Sequence, residues 1–166
     1  RKILNMNPNN ILITQNIDGL HQQSGVSNDK MIEIHGTALK ANCLECEKIF
    51  SLKKFHEAFK ANAPIPNCDA CDGLVKVATI SFGQPMNPVT MEKAVASAIH
   101  SSLMIVLGSS LVVQPVAGLP KIALENGGRL IICNLQTTPY DQHADLVMHE
   151  KIENVAEELL LSRVLD

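Results

Sequence analysis

Apolar residues in this chain gather in short unbroken runs, separated by longer stretches in which they recur at helical spacing, most regularly after Ser81. There Met91, Ala94, Val95, Ala98 and Ile99 fall on one face, behind Asn87 as a capping residue and Pro88 at the first helical position. Leu103 to Leu107 is apolar throughout and stops at Gly108, which predicts a buried strand. A second helix is expected to open near Pro115 and close at Gly127-Gly128, with Pro120 kinking it or delaying its start. Leu130 to Cys133 predicts the next buried strand, Leu146 to Met148 a weaker one, and Val155 to Val164 a terminal helix. Upstream, Ile11 to Thr14 follows Pro8-Asn9-Asn10 as another short strand. Strand, helix and strand within about 30 residues indicate right-handed crossovers and a parallel sheet. The fold class is α/β: a parallel Rossmann-like sheet with helices on both faces.

Residues 37–77 break this pattern. They hold Pro64-Ile65-Pro66 and a short amphipathic helix with Leu52, Phe55 and Phe59 on one side. They also hold two Cys-x-x-Cys pairs, Cys43/Cys46 and Cys68/Cys71, with 21 residues between the pairs. Each pair supplies two thiolates from one knuckle, and two knuckles complete a tetrahedral four-sulfur zinc site. With every position filled by protein, no reactive water has a place, so Zn2+ here would be structural. A redox pair is the competing reading, but a thioredoxin-like motif would not be duplicated at this distance. The expected organisation is a small zinc-ribbon module over 37–77, inserted in a nucleotide-binding domain formed by 1–36 and 78–166.

Composition narrows the function classes. The chain has 166 residues, a formal charge of −3 and 46 % apolar residues, enough for one domain with a core and an insert. That balance gives no support for direct nucleic-acid binding, which favours a strongly basic face. The longest apolar runs are far too short for a membrane span. Five cysteines, four in metal spacing, fit a reducing compartment, and the cytoplasm is the expected location.

Open parallel sheets bind ligands beyond the carboxyl ends of their strands. The run Ile11–Ile13 ends in Thr14-Gln15-Asn16-Ile17-Asp18, Leu103–Leu107 in Gly108-Ser109-Ser110, and Leu130–Cys133 in Asn134. Three strands are thus expected to deliver amides, hydroxyls and a carboxylate to one edge. Those groups suit ribose, phosphate and an amide-bearing ring. There is no G-x-G-x-x-G, so the ordinary dinucleotide fingerprint is absent.

Thr14-Gln15-Asn16-Ile17-Asp18-Gly19-Leu20-His21, His35-Gly36, the cysteine pairs, Phe82-Gly83, Gly108-Ser109-Ser110-Leu111 with Val113 and Pro115, and Asn134 follow one another in the order seen in sirtuins. The chain resembles that family, NAD-dependent protein lysine deacylases, from about Ile11 to Ile152. The resemblance implies that Gln15, Asn16, Ile17 and Asp18 line the nicotinamide and ribose end of an NAD pocket. His35 would be the general base, with Asn16 and Asp18 also catalytic. Gly108, Ser109 and Ser110 would approach ribose and phosphates, Asn134-Leu135-Gln136 the adenosine side, and Ile152 the adenine. Phe82, Gly83 and Val113 would clamp an extended acyl-lysine peptide or protein substrate. The products would be nicotinamide and O-acyl-ADP-ribose. A histidine suits the base, since an ordinary imidazole pKa of roughly 6.5 leaves the ring largely neutral at pH 7.

Two departures from the family pattern are visible. The glycine-rich first turn that covers the pyrophosphate would lie upstream of the first motif, so the chain reads as an N-terminally truncated core, weakly active or inactive alone. Gln84 stands where an acidic residue usually follows Phe-Gly. Mono-ADP-ribosyl transfer, or an inactive zinc-ribbon binding module, are the alternatives. Taken singly, the motif residues have bland readings. His35 could cap a turn, Asp18 could close an Asx-turn before Gly19, and Asn134 could satisfy a strand end. His56, His100, His143 and His149 read as surface or helix-end residues, and Cys133 as a small core residue.

Overall fold

Most apolar runs become strands, and the periodic stretches become helices, in a computed structural model that describes residues 1–161. In chain order these are α1 (Lys2–Asn5), β1 (Leu12–Thr14), α2 (Leu20–Gln23), β2 (Met31–Glu33), β3 (Gly36–Cys43), β4 (Ile49–Ser51) and α3 (Lys53–Lys60). There follow β5 (Val75–Thr79), α4 (Pro88–Ile99), β6 (Leu103–Leu107), α5 (Leu119–Glu125), β7 (Arg129–Cys133), β8 (Leu146–Met148) and α6 (Ile152–Leu161). The expected terminal helix therefore begins three residues early, at Ile152, and its end at Val164 lies outside the described residues. No helix among the described residues is long and apolar enough to cross a membrane. The chain forms two compact units, Arg1–Ile11 with Pro88–Asp166, and Leu12–Asn87.

In the first of these units β6, β7 and β8 form a parallel sheet in that order, in register from Leu103 opposite Arg129 to Leu107 opposite Cys133. Val106, Leu111, Leu130 and Ile132 make its buried cluster, with Met104, Leu124, Tyr140 and Ala144 packed against them. Pro120 delays the second helix rather than kinking it. A 3-10 turn at Val116–Gly118 comes first, and the proline then sits in the opening turn of α5, where its missing N–H costs nothing. One expectation changes: β6 is not buried on both faces. Among the described residues it lies at the sheet edge with one face packed: Met104 and Val106 turn toward the core while Leu103, Ile105 and Leu107, on the other face, stay exposed.

Asp145 ties the start of β7 to the approach to β8. Its carboxylate accepts the Leu130 N–H at 2.9 Å and the Arg129 Nε–H at 3.2 Å, and its own N–H donates to the Leu130 carbonyl at 2.8 Å. The Leu130 amide first, then the Arg129 guanidinium, hold this carboxyl below its ordinary value of 3.8. The folded state thus binds its proton less readily than the unfolded chain. The resulting stability is full above the ordinary carboxylate range and is lost as pH falls through the lower folded value. Asp145→Asn should flatten the acid limb of the stability profile, measured by urea unfolding between neutral pH and pH 3. An unchanged acid limb would remove Asp145 from this role.

The Leu12–Asn87 unit holds two sheets. β1 pairs with β2 in parallel, Ile13 opposite Ile32, and the antiparallel sheet has the order β4-β3-β5. Phe50 of β4 meets Phe55 of α3 edge to face, with ring centroids 5.7 Å apart. Phe55 is buried, but Phe59 one turn later is 76 % exposed, so only the first part of the expected Leu52/Phe55/Phe59 stripe packs. The single sheet edge expected to gather three strands is also revised. β1 finds its partner in β2, a strand the sequence pattern did not announce, whereas β6 and β7 pair in another sheet.

Candidate functional site

The four motif cysteines form two knuckles with the same backbone geometry. Cys43 N–H donates to the Lys48 carbonyl at 3.0 Å, and Cys68 N–H to the Gly73 carbonyl at 2.9 Å. The Glu45 amide points at Cys43 Sγ and the Ala70 amide at Cys68 Sγ, each at 3.4 Å. Glu47 and Asp72, each one residue past the second cysteine of its pair, both adopt φ of 59°. Lys48 Nζ bridges the knuckles to Asp69 Oδ1 at 2.7 Å.

The sulfurs interleave. Cys43 Sγ lies 3.5 Å from Cys71 Sγ, Cys46 Sγ lies 3.6 Å from Cys68 Sγ, and all four are within 4.8 Å of one another. These separations are far beyond a disulfide bond of about 2.05 Å. A tetrahedron with Zn–S bonds of about 2.3 Å requires sulfurs about 3.8 Å apart, so the cluster fits zinc. Its electrostatics need a cation as well. Backbone amides, that of Cys46 foremost, draw the Cys43 thiol down to about 7. Cys71 is pushed up to about 12: the Gly73 amide favours its thiolate, but the neighbouring thiols outweigh that amide. Four thiolates this close cannot coexist without positive charge between them.

His35 lies between β2 and β3, half-buried. Its Nδ1 is 3.2 Å from the Gln15 carbonyl oxygen, just past β1. A carbonyl only accepts, so Nδ1 donates in this contact, and in the neutral ring Nε2 then keeps its lone pair. The ring is therefore held in the tautomer a general base requires. Its backbone is fixed from both sides: the His35 carbonyl accepts the Ile80 N–H at 3.0 Å, and Gly36 follows with φ +74°. A Cβ on Gly36 would stand 2.2 Å from the Ala78 carbonyl oxygen. Gly36→Ala should destabilise the fold by about 1–3 kcal/mol and displace the imidazole. Thermal unfolding compared with a Gly83→Ala control, where a Cβ meets nothing within 4 Å, would isolate the clash. Equal melting shifts would contradict it.

The neighbouring motif residues follow β1. Buried Thr14 accepts the Asn16 N–H on Oγ1 at 3.1 Å, and the Ile17 carbonyl accepts the Ala38 N–H at 2.8 Å. Asp18 Oδ1 accepts the Leu20 N–H at 2.9 Å, so the Asx-turn reading describes what one carboxylate oxygen does. Asn16, Ile17 and Asp18 are exposed beside Gln15 and His35 in the same unit. Thr14 was not among the expected site residues, although its place inside the motif was the available signal.

In the other unit, Gly108 and Asn134 occupy the carboxyl ends of β6 and β7. Gly108 N–H donates to the Cys133 carbonyl at 2.9 Å, and Asn134 N–H to the Met148 carbonyl at 3.1 Å. Gly108 has φ +62°, and a Cβ there would approach Ile152 Cδ1 to 2.8 Å. Bare backbone, Ser109, Ser110, Asn134 and Ile152 thus share one strand edge, where parallel sheets take nucleotides. Asn134 Nδ2–H donates to the Gln136 carbonyl at 2.8 Å, so its side chain also shapes the turn through Leu135. His149 is better connected than expected: its Nδ1 is 3.0 Å from the Asn134 carbonyl and its Nε2 is 3.3 Å from Asp141 Oδ2. Cys133 is fully buried, with burial raising its thiol pKa, as suits a core residue. Phe82 and Gly83 form an exposed turn after β5, while Val113 belongs to the segment after Leu111.

The Sir2 family model matches residues 1–115. An NAD-dependent protein deacetylase from Rhodopseudomonas palustris is 45 % identical over 141 residues, covering 85 % of this chain and 56 % of that protein. A solved Sir2 bound to acetylated peptide superposes with a TM-score of 0.87 at 35 % identity, over 94 % of this chain and 64 % of the other. A Sir2 complex with a p53 peptide and NAD+ gives 0.85, again at 35 % identity, with 94 % and 64 % covered. The chain thus spans little more than half the length of the first of these relatives. On the family match, the ordered motifs and the superposed fold, the chain belongs to the Sir2 family.

Proposed function

We propose that the protein containing this chain removes acyl groups from lysine side chains of proteins, using NAD as co-substrate. The observation that carries this reading is the contact of His35 Nδ1 with the Gln15 carbonyl, which in the neutral ring leaves Nε2 free to take a proton. Bound NAD would supply an ADP-ribosyl group: its bond to nicotinamide would break, the ribose would carry away the acyl group as O-acyl-ADP-ribose, and a water would supply the oxygen and hydrogens that leave free lysine. His35 would accept, at Nε2, a proton from a hydroxyl of that ligand. Gln15, Asn16, Ile17 and Asp18 would contact its nicotinamide and ribose end. In the other unit, Gly108, Ser109, Ser110, Asn134, Leu135 and Gln136 follow the carboxyl ends of β6 and β7, with Ile152 beside Gly108, an edge suited by itself to a nucleotide. Phe82 and Gly83 would bind the extended peptide, and zinc on Cys43, Cys46, Cys68 and Cys71 would clamp residues 37–77 as a structural module.

Support comes from the chemistry of the residues together with a family whose named relatives include NAD-dependent protein deacetylases. The complete gene product should release nicotinamide and O-acyl-ADP-ribose when given NAD and acyl-lysine peptides, as seen by mass spectrometry. No nicotinamide release with any acyl chain would reject the reading, and an ADP-ribosylated acceptor protein would replace it with group transfer.

A further inference from the structure

Three oxygens converge on the ammonium of Lys76, a half-buried residue of β5. Its Nζ donates to the Thr79 carbonyl at 2.8 Å, to Gln84 Oε1 at 2.8 Å and to Ser81 Oγ at 3.1 Å. A lysine ammonium has three N–H groups and no acceptor, so these contacts saturate it. Gln84 Oε1 also accepts the Ser81 N–H at 3.2 Å, and the Gln84 N–H donates to the Ser81 carbonyl at 2.9 Å. The result is a closed turn, Ser81 to Gln84, whose two middle residues are Phe82, fully exposed, and Gly83 at φ +81°.

A four-residue surface turn presenting an aromatic ring to solvent has little packing to hold it. Such loops open at low free-energy cost unless something ties them down. Here the tie is a charge-assisted set of hydrogen bonds, stronger than neutral ones. The Gln84 amide oxygen keeps an acceptor where a carboxylate would otherwise stand, so the lysine remains engaged without an ion pair.

We propose that Lys76 is a positioning residue for the substrate: through Ser81 and Gln84 it holds Phe82 and Gly83 in the conformation that receives an extended acyl-lysine peptide. This rests on the peptide-binding role proposed above for Phe82 and Gly83. Lys76 itself touches neither cofactor nor reacting atoms in this scheme. Its effect should therefore fall on peptide binding rather than on the chemical step.

The test compares the wild type with Lys76→Met, which keeps length but removes all three donors, and with Lys76→Arg, which keeps charge and donors. Steady-state kinetics of the complete gene product are measured with an acetyl-lysine peptide and NAD. In parallel, limited chymotrypsin cleavage after Phe82 is followed by mass spectrometry, with exposed Phe59 on α3 as the internal reference. For Lys76→Met the expectation is a KM for peptide raised about tenfold or more, since bonds to a charged group are lost. kcat and the KM for NAD should stay within about twofold, Phe82 should be cut several times faster relative to Phe59, and Lys76→Arg should recover most of both effects.

Unchanged peptide KM together with an unchanged cleavage ratio overturns the inference. Faster cleavage with unchanged peptide KM overturns the substrate role and leaves only a local tether. Cleavage rising equally at Phe82 and Phe59 means general loosening, and overturns it too. A wild type that turns over no acyl peptide rejects the deacylase reading and the substrate role with it, while the cleavage ratio still decides the tether.

Discussion

Removing the metal from Cys43, Cys46, Cys68 and Cys71 should unfold the region around the two knuckles. Metal analysis of purified protein should find one zinc per chain. A chelator strong enough to take it should then abolish amide-exchange protection between about Ala41 and Val77. The expected magnitude is large because structural zinc in small sites contributes about 10–16 kcal/mol of apparent binding free energy. Little else holds the knuckles: Leu44, Ile49, Ile65 and Leu74 around them are exposed, and Lys48–Asp69 is a surface pair. The sign with pH follows from the thiols. Zinc binds thiolates, so protons compete with it. Cys43, drawn down to about 7, is protonated in metal-free protein as pH falls below that value, and Cys71, near 12, is protonated at neutral pH already. Zinc affinity should therefore fall with acidification, and loading near pH 7 should release protons, seen as a buffer-dependent heat in calorimetry. A region that stays protected without metal would end the zinc assignment.

The second large effect is expected at His35. His35→Ala should lower kcat by about 10² to 10⁴, the usual worth of a well-placed general base. Melting temperature should barely change, because the ring is only half-buried and, among the described residues, bonds only to the Gln15 carbonyl. That combination separates catalysis from folding. A variant that keeps the wild-type rate would show that Nε2 takes no proton in the reaction. Nicotinamide release by the complete gene product, measured at saturating peptide and NAD, is the appropriate readout.

Much of this was legible in the chain because it depends on short-range pattern. The helical periodicity of Met91, Ala94, Val95, Ala98 and Ile99 became α4, starting at Pro88 as expected. The runs at Leu103, Leu130 and Leu146 became β6, β7 and β8. Cysteine spacing was read correctly as a four-sulfur cluster, since two atoms of each knuckle are placed by four consecutive residues. Where the outcome depended on partners far along the chain, the pattern was less informative. Phe59 has the right spacing to join Phe55 but packs on nothing comparable, because Phe50 supports only the first turn of α3. Strand β2 is three residues long and gained its identity from pairing with β1. The hydrogen bonds of Lys76 could not be foreseen, since a lysine in a strand gives no sign of the oxygens that will surround it.

By itself the sequence determined the α/β class, the strand and helix order after Ser81, the four cysteines that gather into one cluster and the identity of the motif residues. These are properties of spacing and side-chain chemistry, carried within a few residues. Tertiary structure alone decided which ring nitrogen of His35 holds the proton, because the Gln15 carbonyl comes from another strand end. It alone decided that Gly36 tolerates no side chain, because the Ala78 carbonyl lies 42 residues further along the chain. And it alone placed β1 in a sheet of its own with β2. Each of those outcomes is set by which distant backbone groups find one another once the chain has folded, a contest that local sequence enters but does not settle.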